Sequence, residues 1–219
     1  MRKMIIFGTG ELAMLADYYF SRDGRHSVAA LTVDGKYLTE ENLWGRPVVP
    51  FEAVERLYPP AEYDLFVAVG YSDMNRGREN KCAEALAKGY TLVSYISDKA
   101  HIANTFTHGY NCFILENNII QPHVAIGNNV ILLCGNLLGH RDQVADHCFL
   151  TSNVTVCGQV TIGDHCFLGV TCCIRDKVSI APYTLVGACA YIAHDTKEGE
   201  VYIAEATKPS RRVSSEVVI

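Results

Sequence analysis

The chain has 219 residues, 49% of them apolar and 20% charged, which is too rich in core formers for a disordered chain and long enough for one large or two small domains. A formal net charge of −5 gives no broad basic footprint for phosphate backbones, so nucleic acid is excluded as the expected partner. No stretch approaches ~18 uninterrupted apolar residues, so no membrane span is expected, and nine cysteines without a C-x-x-C pair or an export signal point to reduced thiols in the cytoplasm.

The first apolar run, Met4-Ile5-Ile6-Phe7, stops at Gly8 and is too short for a signal sequence. It closes a strand expected over residues 3–7. An amphipathic helix is expected over 11–20, strands over 28–33 and 65–69, a helix over 75–88 and a strand over 90–96. This alternation reads as a Rossmann-like βαβ domain with a parallel sheet, residues 1–100.

Gly8-Thr9-Gly10-Glu11 lies between the first strand and the first helix, where glycines allow a tight turn and the helix N-terminus faces an anion. Ala13 stands where the dinucleotide fingerprint has its third glycine. Asp34 closes the second strand, where an acid commonly meets a ribose hydroxyl, although a turn aspartate explains it as well. A second loop, Gly70-Tyr71-Ser72-Asp73-Met74-Asn75-Arg76-Gly77-Arg78, follows a strand and combines a ring, an amide and two guanidinium groups. Arginine at a helix start opposes the helix dipole, so a bound anion is the better reason for Arg76 and Arg78 than solvation alone. A domain of this size offers one mononucleotide site, with Gly8, Thr9, Gly10, Glu11, Asp34, Gly70, Tyr71, Asn75 and Arg76 as its candidates.

From Ile114 the texture changes. Every sixth residue through Ile192 is Ile, Leu or Val, and a column four residues later, from Val124 on, is mostly small and apolar. A period of six fits short strands joined by regular turns, and the match of Ala145-Asp146-His147-Cys148-Phe149-Leu150 with Gly163-Asp164-His165-Cys166-Phe167-Leu168 shows that three sides close one coil. Residues 101–219 therefore form a parallel β-solenoid, with coils about 4.8 Å apart.

The small inward column is interrupted by Asn136 and Asp142, which bracket Gly139-His140-Arg141. An inward carboxylate needs a partner, and His140 is the nearest one. A neutral histidine is a suitable base, and a carboxylate beside it would fix its tautomer. One coil later stands Gly158, whose unshielded N–H suits an oxyanion. A surface histidine with Asp142 capping backbone amides is the plain alternative. His147 and His165 occupy matching turn positions eighteen apart and read as exposed turn residues before metal ligands; Cys148, Cys166 and Cys172 read as core thiols.

Ile126-Gly127, Ile162-Gly163 and Leu168-Gly169 resemble the steps of hexapeptide-repeat acyltransferases, whose coils form a left-handed β-helix. Gly139-His140, Cys157-Gly158, Phe167-Leu168-Gly169-Val170-Thr171 and Val201-Tyr202-Ile203-Ala204-Glu205-Ala206-Thr207-Lys208 resemble the two-domain acyltransferases of nucleotide-linked amino sugars. The resemblance implies a homotrimer in which the N-terminal domain holds the nucleotide sugar and His140 is the base. It further implies that Gly158 steadies the oxyanion while Gly169, Ala188 and Lys208 help bind acetyl-CoA or another acyl-CoA, with no metal. The sequence departs from that pattern at Arg141, where an acid often follows the histidine, and at Asn153, where some relatives carry a second histidine. The tail also departs, with Ala204-Glu205-Ala206-Thr207-Lys208 in place of Gly-x-Pro-Ala-Lys.

Three other readings compete with N-acylation: O-acetylation of a sialic-acid-like sugar, a non-catalytic sugar-nucleotide module, and a zinc enzyme resembling the β-helical carbonic anhydrases. The last needs three or four converging ligands, and the expected pair of histidines five apart is absent from the sequence.

Overall fold

The computed structural model describes residues 2–209, 211 and 215. Five strands, β1 (Arg2–Phe7), β2 (His26–Val33), β3 (Asn42–Leu43), β4 (Arg46–Pro50) and β5 (Tyr63–Val67), form one sheet in the order β3-β4-β2-β1-β5. All pairings are parallel except that of β3 with β4. Helices α1 (Glu11–Phe20), α2 (Val54–Leu57) and α3 (Arg76–Ala87) pack around it. Met4 and Ile6 of β1 join one core with α1, whereas Ile5 and Phe7 join a second core with α2 and α3. Burial on both sides explains why β1 reads as an unbroken apolar run instead of an alternation.

Two elements differ from expectation. Arg46-Pro47-Val48-Val49-Pro50 adds a strand beyond those expected, and its two prolines are tolerated because β4 lies near the sheet edge. The strand expected over 90–96 is divided: Leu92 bridges Leu65 of the N-terminal sheet, while Tyr95–Ile96 pairs with Phe113–Ile114 as the first rung of the solenoid. Tyr95 is eighteen residues before Phe113, so the coil period already operates there.

The solenoid has three faces of seven, six and five parallel strands. The first carries Phe113–Ile114, Ile131–Leu132, Phe149–Leu150 and Phe167–Leu168; the second Leu137–Leu138 and Thr155–Val156; the third Gln143–Val144 and Thr161–Ile162. The six-residue apolar column from Ile114 to Ile192 is buried in one continuous core, together with Cys148, Cys166 and Cys172. A third column turns the corners: every sixth residue from Asn111 to Cys189 has φ between 52° and 81°. Only Gly135 among these is a glycine, and for the others a left-handed backbone costs roughly 1–2 kcal/mol. The interstrand ladder and the core outweigh that cost coil by coil.

Phe113, Ile131 and Phe149 point outward from the first face, yet Met4, Ile6, Phe20 and Phe66 of the N-terminal domain cover them. Arg78 of α3 fastens the same junction. Its Nε donates to Asn129 Oδ1 at 3.0 Å, Nη1 to the Gly70 carbonyl at 2.9 Å, and Nη2 to the His147 carbonyl at 3.0 Å. Burial pushes this guanidinium down to about 10, which leaves it charged at neutral pH. Arg78 is thus spent on holding the solenoid and is withdrawn from any ligand, contrary to the anion contact expected of it.

Candidate active site

The ends of β1 and β5 approach closely: a Cβ at Gly8, where φ is +129°, would lie 2.7 Å from the Ala68 carbonyl oxygen. Only glycine fits this turn. Gly10, Glu11, Gly70 and Tyr71 then line one cavity of about 330 Å³ with Leu12, Leu15, Ala68, Leu133 and Phe149. Its position outside strand C-termini is where open α/β sheets collect ligands. Tyr71 roofs it, its ring 5.1 Å from that of Phe149 and 4.9 Å from that of Phe167. Leu133 and Phe149, supplied by the solenoid, were not legible as lining because nothing in their own repeat marks which face the other domain covers.

The remaining candidates from the N-terminal domain are elsewhere. Asn75 is fully buried, and its amide reaches the His165 and Cys166 carbonyls at 3.4 and 3.3 Å, so it is a docking residue and not a ligand contact. Arg76 lies outside the cavity lining, over the Tyr183 ring at 4.8 Å. Asp34 is paired with Lys81 at 2.8 Å in a separate crevice of about 470 Å³ that also holds Phe51 and Glu52. Thr9 is half-buried beside Gly8.

His140 stands at the corner between the second and third faces, exposed, one residue before the left-handed Arg141. Gln121 Oε1 accepts its backbone N–H at 2.9 Å, and Gln159 Nε2 lies 3.4 Å from the ring Nε2. Gly158, with φ +108°, lies beneath the ring: a Cβ there would sit 3.0 Å from both Cε1 and Nδ1. The eighteen-residue spacing does bring His140 and Gly158 together, and among the described residues no main-chain carbonyl accepts the Gly158 N–H, which acts on the Asp142 carboxyl below. Asp142 departs from its expected place. Its carboxyl points into the solenoid, with Oδ1 accepting Val160 N–H at 2.9 Å, and it makes no hydrogen bond to His140. Burial raises it to about 7 against the opposing pull of the Val160, Gly139 and Gly158 amides.

His147 and His165 correct the expectation of exposed turn residues. α3 covers their corner, and Glu79 bridges them, with Oε1 3.6 Å from His147 Nε2 and Oε2 2.9 Å from His165 Nε2. Two histidines and a carboxylate within 4.8 Å invite a metal ion. The hydrogen bonds argue otherwise. Val67 N–H donates to Asn111 Oδ1, Asn111 Nδ2 and Arg78 Nε donate to Asn129 Oδ1, and Asn129 Nδ2 is left to donate to His147 Nδ1 at 2.9 Å. His147 Nδ1 must accept, so its proton sits on Nε2 and that atom has no lone pair for a metal. Burial also holds this ring below the ordinary histidine value, with Glu79 opposing.

Gly169 and Ala188 meet across successive coils: a Cβ at Gly169 would lie 2.6 Å from the Ala188 nitrogen. Lys208 lies exposed in the extended tail after Val201–Tyr202.

The solved structures to which this chain is similar are hexapeptide-repeat sugar acetyltransferases. Among solved structures, the chain is similar to a mutant of perosamine N-acetyltransferase from Caulobacter crescentus in complex with CoA and GDP-perosamine. The identity is 25%, the match covers 92% of each chain and the TM-score is 0.83. It is also similar to the acetyltransferase domain of PglB from Neisseria gonorrhoeae, at 21% identity over 92% of this chain and 96% of that one, TM-score 0.82. WeeI from Acinetobacter baumannii matches at 17% identity over 91% and 95%, TM-score 0.79. The stacked strands fit a left-handed β-helix, as in these neighbours. No protein-family model and no curated protein matches the sequence.

Proposed function

We propose that this protein transfers an acetyl group from acetyl-CoA to the amino group of a nucleotide-linked amino sugar. The observation that carries the reading is an exposed histidine set directly over a glycine amide at a solenoid corner, His140 over Gly158, in a chain matched over 92% of its length to an enzyme of that chemistry. In this reading His140 accepts a proton as the sugar amine attacks the thioester carbonyl. The Gly158 N–H donates to the developing oxyanion, and the CoA thiolate leaves. Gly169, Ala188 and Lys208 contribute to the acyl-CoA site along the adjacent coils.

The Rossmann-like domain, residues 1–100, holds the nucleotide through the Gly10–Tyr71 cavity, and residues 101–219 carry the transferase chemistry. The cavity opens beside Leu133, at the corner between the first and second faces, whereas His140 occupies the next corner. In this reading an acceptor seated there extends to the His140 of a neighbouring copy in a homotrimer, and the enzyme acts in the cytoplasm. Among the described residues no helix is long and apolar enough to cross a membrane.

The test is the appearance of free CoA thiol when acetyl-CoA and a panel of amino-sugar nucleotides are supplied together. Thiol release that requires the amino sugar, with a hydroxylamine-stable product, supports N-acylation. A hydroxylamine-labile product would replace it with O-acylation.

A further inference from the structure

Asp142 belongs to a column in which every other polar side chain except the Cys172 thiol donates a hydrogen bond to a main-chain carbonyl. Asn118 and Asn136 each use Oδ1 to accept the N–H eighteen residues on, at 3.1 and 2.8 Å, and Nδ2 to donate to the carbonyl three residues back, Leu115 and Leu133, both at 2.7 Å. Thr184 Oγ1 donates to Ala181 at 2.7 Å. Cys112, Cys148 and Cys166 donate their thiols to the carbonyls of Gly127, Gly163 and Ala181 at 3.2, 3.1 and 3.2 Å. Asp142 repeats the first half of the asparagine pattern, with Oδ1 on Val160 N–H. Its Oδ2 takes the place of the amide nitrogen, is buried, and has no hydrogen-bond partner among the described residues. In the asparagine pattern this position donates to the carbonyl three residues back, here that of Gly139, where a bare carboxylate oxygen would meet another acceptor; the pull of the Gly139 and Gly158 amides does not offset its burial.

From this pattern we infer that Asp142 is a protonated acid whose Oδ2–H stands in for the asparagine amide, and that it is a positioning residue fastening the Gly158–Val160 turn beneath His140. Its neighbours in the column, Val124 and Val160, are apolar, and no cation faces it from inside the coil. On the corner outside lie His140 and Arg141 of its own turn, the Cys157 thiol and Gln159 of the next coil, and Asp176 beyond. None is hydrogen-bonded to the carboxyl, and its rise to about 7 comes first from burial.

The sign of the linkage follows. A carboxyl raised from 3.8 to about 7 holds its proton more tightly in the folded state, so stability falls as pH rises between those values and is then level. Melting temperatures of the full-length protein across this range test the inference. Asp142→Asn supplies the missing donor permanently and should melt higher than wild type by about 5 °C or more at pH ~8, with the gap closing near pH ~5. Asn136→Asp should acquire the same alkaline loss at the preceding corner of the coil. An Asp142→Asn protein that melts below wild type at pH ~8, or an Asn136→Asp protein with no alkaline loss, overturns the inference.

The positioning role rests on the acyl-transfer reading and has its own readout: wild-type kcat/KM should fall on the alkaline side, where Asp142 ionises, and Asp142→Asn should remove that fall. Equal alkaline limbs in the two proteins would overturn it. Loss of all turnover in both would count against acyl transfer, while the melting comparison still decides the protonation.

Discussion

Two corners of the solenoid carry histidines in nearly the same place in the repeat and treat them in opposite ways. His147 and His165 occupy the left-handed turn position itself, under α3, with Glu79 between them and a chain of amides dictating the His147 tautomer. His140 is one residue earlier in its turn, uncovered, with only Gln121 and Gln159 beside it and a glycine beneath. The contrast teaches that covering and not residue type separates a fastening histidine from an available one. The first pair ties α3 to the solenoid. The second is open to solvent.

The largest effect expected from breaking the covered corner comes from Arg78→Ala. It would leave the Gly70 and His147 carbonyls without their shared donor and take one of two donors from Asn129 Oδ1, and each buried acceptor left unpaired costs about 1–3 kcal/mol. A fall in melting temperature of roughly 10 °C should follow in calorimetry, and a fall within about 1 °C would show that the junction does not depend on this residue. A smaller effect is expected at the cavity. Tyr71→Ala removes a ring packed on Phe149 and Phe167, and an aromatic contact of ~0.5–1.5 kcal/mol should raise the acceptor KM about three- to tenfold. The KM for acetyl-CoA should stay put, and an equal rise in both would assign Tyr71 to general packing.

The smallest effect concerns acid. Because burial lowers the His147 pKa below 6.5, the unfolded chain takes up a proton first as pH falls, so stability present above ~6.5 declines below it. His147→Gln keeps a neutral side chain at the corner and should flatten this decline in melting curves between pH ~7 and ~5. An unchanged acid slope would remove His147 from the account.

The sequence displayed the solenoid because one chemical requirement, an inward aliphatic every sixth residue, recurs from Ile114 to Ile192 without exception. The same arithmetic brought Gly158 beneath His140. What it could not display is which face the other domain covers. Asn75 and Arg78 look like ligand groups in a glycine-started loop, yet both are turned to main-chain carbonyls of the solenoid. Asp142 was readable as inward and costly, but its relation to Asn118 and Asn136 needed the hydrogen bonds of neighbouring coils. The column of left-handed turn residues also passed unnoticed, since Asn, His, Arg, Gln, Thr, Lys, Tyr and Cys all occupy it and share a backbone angle instead of a chemistry.

The most direct measurement of the central claim is the turnover of His140→Asn beside His147→Asn in the thiol-release assay with acetyl-CoA and an amino-sugar nucleotide. The account predicts that His140→Asn loses about 10²- to 10⁴-fold in kcat with its melting temperature essentially unchanged, while His147→Asn retains turnover within a few-fold and melts lower. Near-wild-type turnover in His140→Asn, or a loss of that size in a folded His147→Asn protein, would contradict it.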